Sequence, residues 1–176
     1  MGINVRAISE GYIWGMDLLI LVTLGTNDKS FVRLIKKIED LIIKGKIDQE
    51  VIIQSGYTKY QSEYMKIFDL IPIDKFNELI KNCDLLITHG GVGSIISGLN
   101  NEKKVIAVPR LQKYGEHVND HQLQIIENFA NLGFILASHS VDDLEEVLTK
   151  VSEFKPKKYT SNTKHMIELV EKCIEQ

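Results

Sequence analysis

Cysteine is scarce in this sequence, and positive charge is not in excess. The two cysteines, Cys83 and Cys173, lie far apart and match no metal-binding or disulfide spacing. This usage is typical of a reducing compartment, so we expect a cytoplasmic protein. The formal net charge is −3, so no strong basic field would draw the protein onto nucleic acid. We therefore expect no nucleic-acid partner.

Long hydrophobic runs are also missing. The best candidate for a membrane span, residues 13–24, is short and contains Asp17, whereas a spanning helix needs roughly 20 apolar residues. No basic start leads into an apolar core followed by a small-residue cleavage site, so we predict no signal peptide. If the protein works at a membrane, we expect another chain to hold it there.

The composition is that of a globular domain, with 44% hydrophobic and 26% charged residues. A length of 176 residues fits one domain, which we place at residues 16–154. Residues 1–15 show no clear period and are predicted to be an extension of unknown role or an ordinary N-terminal arm. Residues 155–176 are predicted to form a hinge-like linker and a terminal amphipathic helix.

Buried apolar runs alternate with segments of helical period along the chain. The predicted strands are residues 18–24, 50–56, 84–89, 104–109 and 134–137. The predicted helices are residues 31–42, 73–83 with Asp74 as the cap, 93–100, 117–133, 141–151 and 162–174. Residues 57–70 fit either a short helix or a strand. This alternation predicts a single α/β, Rossmann-like domain with a parallel sheet and helices on both faces.

Ligands of such sheets bind beyond the carboxyl ends of the strands, where this chain places residues 25–28 and 89–94. The second segment reads "HGGVGS" and opens a helix. Glycines permit close backbone approach, and a helix N-terminus attracts anions, so this loop predicts a phosphate site. His89 and Ser94 could add donors. The alternative is a tight turn in which Ser94 is a plain cap.

Two common nucleotide motifs do not fit this glycine loop. The P-loop requires a lysine after its second glycine, and none is present. The dinucleotide fingerprint would use Gly91 and Gly93, but Ile96 stands where its third glycine belongs. We therefore disfavour an ATPase-type site and an NAD-type site.

A second polar cluster lies at residues 110–122, "RLQKYGEHVNDHQ". His121 and Gln122 come at a predicted helix start, where side chains can face the hydroxyls of a ligand. His117 and His121 have the i, i+4 spacing of some zinc sites, yet the order differs from H-E-x-x-H and no third ligand is evident. The other alternative is a solvated loop capped by Asn119 or Asp120.

Four segments, "VTLGT", "ITHGGVGSI", "VPR" and "YGEHVNDHQ", occur in this order from residue 18 onward. Together they resemble the donor-binding, C-terminal domain of GT-B glycosyltransferases of the lipid II GlcNAc transferase type. The resemblance is greatest to the soluble catalytic subunits of split enzymes. These are the capsule and exopolysaccharide glycosyltransferases, several of them β-1,4-galactosyltransferases, and the dolichol-pathway GlcNAc transferase. The resemblance implies half of a GT-B fold.

The resemblance also implies roles for matching residues. The UDP diphosphate would face His89 and the glycine loop, here Gly90, Gly91, Gly93 and Ser94. Ile73 would offer backbone groups to the uracil, and His121 and Gln122 would contact the donor sugar. Gly25 and Thr26 would lie on the cleft floor near the acceptor. In several relatives a carboxylate side chain contacts the ribose hydroxyls, and this chain has Ser97 at that position. The resemblance therefore leaves the ribose contact unassigned.

The implied reaction is an inverting transfer of galactose or GlcNAc from a UDP-sugar to a polyprenyl-diphosphate-linked saccharide, with no metal or other cofactor. The base would be His117 or Glu116, or a group of the partner. The implied partner is a membrane-anchored, acceptor-binding subunit that holds this chain at the inner face of the membrane. The alternatives are a non-catalytic accessory subunit and a UDP-sugar epimerase of GT-B architecture.

Overall fold

The computed structural model describes residues 18–160 and contains one six-stranded sheet. Its strands are β1 (Leu19–Thr23), β2 (Glu50–Gln54), β3 (Lys66–Phe68), β4 (Leu85–Thr88), β5 (Lys104–Ala107) and β6 (Leu136–Ala137). All neighbouring strands run parallel, in the order β3-β2-β1-β4-β5-β6. This is the order of a Rossmann sheet, which confirms the predicted fold class.

Within residues 18–160, five α-helices cover the two faces of the sheet. They are α1 (Val32–Ile43), α2 (Ile73–Asn82), α3 (Val92–Asn100), α4 (His121–Asn131) and α5 (Leu144–Thr149). Alternate residues of a strand face opposite ways, so Ile20 joins the core beneath α1 and α5, whereas Leu19 joins the core beneath α2, α3 and α4. This double burial explains why the strands read as continuous apolar runs.

Several element boundaries differ from the prediction. Helix α2 begins at Ile73 after Pro72, so Asp74 lies in its first turn and is not the cap. Helix α4 begins only at His121, which leaves His117 in the preceding loop. In the ambiguous segment of residues 57–70, only the short strand β3 is regular.

The predicted hinge-like linker, which begins at residue 155, makes specific contacts with the domain. The Lys157 backbone N–H donates to the Gly133 carbonyl at 2.9 Å, and Tyr159 packs edge-on against Phe134 with ring centroids 5.6 Å apart. The extension at residues 1–15 and the terminal helix at residues 162–174 lie outside the described residues. In the part of the chain that is described, no helix is both long and apolar enough to cross a membrane.

The strand order reverses between β1 and β4. Chain connections leave these neighbouring strands toward opposite faces: the loop after β1 leads to α1, and the loop after β4 leads to α3. A crevice opens at such a point, beyond the carboxyl ends of the two strands. Residues 25–28 and the glycine loop therefore flank the same crevice.

Candidate functional site

Three helices begin on one face of the sheet at its carboxyl edge. They are α2, α3 and α4, which start at Ile73, Val92 and His121. The first amide groups of a helix have no acceptor within the helix and carry a partial positive charge. Helix α3 lies closest to the reversal point, because only residues 89–91 separate it from β4. This face of the crevice is therefore suited to an anion.

The His89 imidazole lies between two glycines from different loops. A Cβ atom on Gly25 would lie 2.5 Å from His89 Cε1, and one on Gly91 would lie 2.5 Å from His89 Nε2. Gly25 also has a φ of +71°, which glycine adopts most readily. Because both positions exclude a side chain, the two loops can close on the histidine ring. The sequence prediction placed these three residues in one site, and the structure brings them together.

His89 is neutral and holds a defined tautomer. Its Nδ1 lies 3.3 Å from the Thr23 carbonyl, which can only accept, so Nδ1 carries the proton. Burial, helped by the positive charge of Arg110, lowers the pKa of the imidazole to about 4. Nε2 is then a hydrogen-bond acceptor. This corrects the expectation that His89 is a ready donor to phosphate, because donation from Nε2 requires a further proton.

Gly56, just after β2, is a site residue that the sequence prediction missed. Its φ is +59°, and a Cβ atom there would lie 2.2 Å from the Gly25 carbonyl oxygen. The loop after β2 therefore supports the backbone that contacts His89. The available signal was a glycine directly after an apolar strand, in "EVIIQSG".

The other glycine-loop residues have different surroundings. Gly90 has a φ of +85°, and a Cβ atom there would lie 2.6 Å from Ile126 Cδ1, so this glycine lets α4 approach the loop. Gly93 is exposed, and a Cβ atom there would meet nothing within 4 Å. Ser94 is half-buried in the first turn of α3. The first turn of α3 is thus open to solvent at Gly93 and partly so at Ser94.

The predicted uracil-binding position is accessible. Ile73 is the first residue of α2 and is 72% exposed. The chain leading to it is held by the Gln54 side chain, whose Oε1 accepts the Ile71 N–H at 3.1 Å. Thr26 is exposed and lies beside Gly25 at the end of β1, and Ser97 lies on α3 as expected.

Glu116 does not have the surroundings of a general base. Its carboxylate is buried and accepts from Arg33 Nε at 2.8 Å and Arg33 Nη2 at 3.0 Å. It also accepts the Leu111 backbone N–H at 3.1 Å. These bonds occupy the oxygens that would take a proton and fix the loop after β5 to α1. This geometry corrects the expectation for Glu116 and gives it a structural role.

His117 fits the role of a base better. Its Nδ1 lies 3.0 Å from the Asn119 carbonyl and 3.1 Å from Asn119 Oδ1, both acceptors. The Asn119 N–H approaches the same nitrogen at 3.3 Å. The two shorter contacts favour a proton on Nδ1, which leaves Nε2 with a free lone pair, as proton acceptance requires.

The predicted sugar-binding pair divides into two roles. His121 is exposed at the start of α4, with Nδ1 3.3 Å from Gln124 Oε1. Gln122 is buried, and its Oε1 accepts the Arg110 backbone N–H at 2.9 Å. The His121 side chain is therefore open to solvent, whereas the amide oxygen of Gln122 is bonded to the protein itself.

A zinc site at His117 and His121 does not fit this geometry. His117 precedes the helix, so the two residues do not share a helical face. Among residues 18–160 no group of three or more histidine, cysteine, aspartate or glutamate side chains is arranged to hold a metal ion.

Two comparisons with solved structures agree on the architecture. An NMR solution structure of ALG13 superposes with a TM-score of 0.62 over 90% of this chain and 97% of that chain, at 20% identity. The UDP-GlcNAc 2-epimerase of Methanocaldococcus jannaschii, in complex with UDP-GlcNAc and UDP, gives a TM-score of 0.62 over 99% of this chain and 49% of that chain, at 16% identity. At such identities the likeness establishes the fold, that of one Rossmann-like half.

Sequence relatives point to one family. The UDP-N-acetylglucosamine transferase subunit ALG13 of Candida glabrata is 31% identical over 116 residues, or 66% of this chain and 50% of that protein. The protein of the same name from Candida albicans is 25% identical over 112 residues, or 64% of this chain and 36% of that protein. The matched part thus spans half or less of these curated relatives. The glycosyltransferase family 28 C-terminal domain matches residues 19–176, and this chain therefore belongs to that family.

Proposed function

We propose that this chain is the donor-binding, catalytic subunit of a two-chain inverting glycosyltransferase that uses a UDP-sugar. The observation that carries the proposal is a family 28 domain whose glycine loop opens α3 at the reversal point of the sheet. The names of the relatives favour UDP-GlcNAc as the donor. UDP-galactose is the other candidate, because the motifs resemble those of the capsule and exopolysaccharide enzymes.

The proposed donor lies along the three helix N-termini. Uracil would bind at Ile73, the diphosphate at the first amides of α3 with Gly93 and Ser94, and the sugar near His121. As the bond to the leaving UDP breaks, negative charge grows on the diphosphate. Helix amides would stabilise this charge without a metal, and His89 would contribute only where the bound diphosphate favours a proton on its Nε2.

The proposed transfer inverts the anomeric centre. An acceptor hydroxyl attacks the anomeric carbon opposite the diphosphate, the bond from that carbon to the diphosphate oxygen breaks, and the hydroxyl proton passes to a base. His117 is the candidate in this chain because its Nε2 is free to accept. A group of the partner chain is the alternative base.

We further propose a membrane-anchored partner that supplies the polyprenyl-diphosphate-linked saccharide. This partner would keep the chain at the inner face of the cytoplasmic membrane, in capsule or exopolysaccharide synthesis. The word "subunit" in the names of the relatives supports a second chain. The competing proposal is a non-catalytic accessory subunit, which would not need an open donor site at α3.

Calorimetry with UDP, UDP-GlcNAc and UDP-galactose tests the donor site, in the presence and absence of Mg²⁺. We expect metal-independent binding of UDP and a preference for one UDP-sugar. If no nucleotide binds, either to this chain or to its complex with the co-purified partner, the donor-site proposal is wrong and the accessory role is favoured.

A substitution at His121 tests the sugar position separately. We expect His121→Ala to weaken UDP-sugar binding by about tenfold, the value of one lost hydrogen bond to a polar ligand, and to leave UDP binding unchanged. His139→Ala is the matched control, because His139 is an exposed histidine beyond β6. An equal loss of UDP and UDP-sugar affinity in His121→Ala would contradict the assignment.

A further inference from the structure

Arg110 is a fully buried cation next to the crevice. It follows β5 and is among the largest side chains that are fully enclosed. Burial lowers the pKa of the guanidinium to about 10, while Glu116 and Asp28 oppose that shift, so the group stays charged near neutral pH. Its Nε is also buried and has no hydrogen-bond partner among residues 18–160. Because burying a charge is costly, compensating contacts must hold this arginine in place.

The guanidinium donates to both ends of the loop after β1. Nη2 donates to the Leu24 carbonyl at 2.7 Å, and Nη1 donates to the Lys29 carbonyl at 2.6 Å. The planar, two-pronged geometry of arginine matches two separated acceptors in a way that a lysine ammonium cannot. The Phe31 ring, 5.1 Å away, covers the same group. The loop of residues 25–28 is thus fixed at its start and at its end.

The backbone of Arg110 connects this loop to the donor side of the crevice. Its N–H is held by Gln122 Oε1 of α4 at 2.9 Å, and α4 packs on Gly90 through Ile126. From the other direction, Gly25 in the fixed loop lies directly against the His89 ring. Arg110 therefore links the two loops that enclose His89.

We propose that Arg110 is a positioning residue for the donor site, which holds the loop of residues 25–28 against His89 and the glycine loop. Its role deepens the proposed function and rests on that function for the identity of the ligand. Arg110 would not touch the donor itself. It would act through Gly25, which keeps the imidazole in the place where the diphosphate is bound.

Arg110→Lys and Arg33→Lys form a matched pair of variants in the full-length chain. Both residues lie in the same cluster, but Arg33 pairs with Glu116 and does not hold the carbonyls of Leu24 and Lys29. We expect Arg110→Lys to accelerate hydrogen exchange in residues 25–30, to shift the His89 imidazole NMR signals, and to weaken UDP binding by about tenfold. Arg33→Lys should change none of these three readings appreciably.

A measurement on the unsubstituted chain keeps the proposal testable if Arg110→Lys does not fold. A guanidinium held at both ends gives separate, slowly exchanging Nη–H signals in ¹H–¹⁵N NMR, and we expect UDP to shift them. Averaged signals, as in free arginine, would overturn the proposal. So would a folded Arg110→Lys whose loop exchange and His89 signals match those of Arg33→Lys. If the unsubstituted chain binds no UDP, the proposed function is wrong. Hydrogen exchange in residues 25–30 and the Nη–H signals would then still decide whether Arg110 positions the loop.

Discussion

The N-termini of α1 and α3 have the same architectural origin but different surroundings. Each helix follows one of the two strands that flank the reversal point. Residues 24–31 separate β1 from α1, whereas residues 89–91 alone separate β4 from α3. At α1, the buried Phe31 covers the helix start, and its N–H donates to Thr58 Oγ1 at 2.9 Å. At α3, Gly91 precedes the helix and brings no side chain.

The difference bears on which helix start has room for an anion. A parallel sheet places many helix N-termini at its carboxyl edge, and all of them carry partial positive charge. A short loop that ends in two glycines adds no side chain beyond that of His89, as at α3. A longer loop fills the space with protein groups, as at α1.

The largest expected effect comes from filling the space at α3. In Gly91→Ala the new Cβ would lie 2.5 Å from His89 Nε2, so we expect a loss of about 1–3 kcal/mol in unfolding free energy. We also expect UDP binding to fall by at least about tenfold, since the ring must move. Urea unfolding and calorimetry measure the two effects.

Gly93→Ala is the matched control, because its Cβ meets nothing within 4 Å in the free protein. We expect it to gain about 0.5–1 kcal/mol in stability, as alanine favours a helix over glycine. If Gly93→Ala is destabilised as strongly as Gly91→Ala, the close approach to His89 is not what distinguishes this loop.

An effect of intermediate size is the dependence of stability on pH that comes from protonation of His89. Its pKa is 6.5 in an ordinary environment and about 4 in the folded protein. The unfolded chain therefore binds the proton more readily, so stability is complete above pH 6.5 and is lost as pH falls toward 4. Because the ring is partly exposed, we expect a loss of about 2 kcal/mol over this range.

His89→Asn isolates this contribution. Asparagine keeps an N–H for the Thr23 carbonyl but does not titrate, so its pH dependence should be smaller than that of the unsubstituted chain by the same amount. Urea unfolding at pH 7.5 and at acidic pH measures the difference. Identical pH profiles for both proteins would mean that His89 titrates normally in the fold.

The smallest expected effect comes from removing the hydrogen bond at the start of α1. Thr58→Val keeps the shape but removes the acceptor of the Phe31 N–H, so we expect a loss of about 1–2 kcal/mol in unfolding free energy. UDP affinity should not change, because the buried Phe31 covers this helix start. Thr58→Ser, which keeps the hydroxyl, is the control. A clear loss of UDP affinity in a folded Thr58→Val would erase the contrast between the two helices.

The parallel sheet could be predicted because its longer strands are largely apolar and alternate with helices of clear period. The position of the glycine loop could also be predicted, since glycines between a buried strand and a helix favour either a tight turn or an anion site. Boundaries were harder to predict. Asp74 is a residue type that often caps helices, yet α2 begins at Ile73 with Pro72 as the cap residue. The preferences of single residues for the cap position do not decide between helix starts that differ by one or two residues.

The roles within residues 110–122 could not be predicted because they depend on contacts distant in sequence. Glu116 looks like a base until Arg33 is known to pair with it. The sequence does not show that the Gln122 oxygen accepts the Arg110 backbone N–H. The tautomer of His89 depends on the Thr23 carbonyl of a neighbouring strand. Charge and hydrogen bonding in a buried cluster are properties of the assembled fold.

The meeting of Gly25, Gly56 and His89 has a consequence for how the chain folds. These residues come from the loops after three different strands, and they meet only after β1 has paired with both β2 and β4. Pairings between distant segments close slowly, so we expect the crevice to be among the last parts of the molecule to form. A nucleotide that binds there would select chains that have completed the sheet and would shift the folding equilibrium toward them. A donor analogue would then assist the folding of weakened variants.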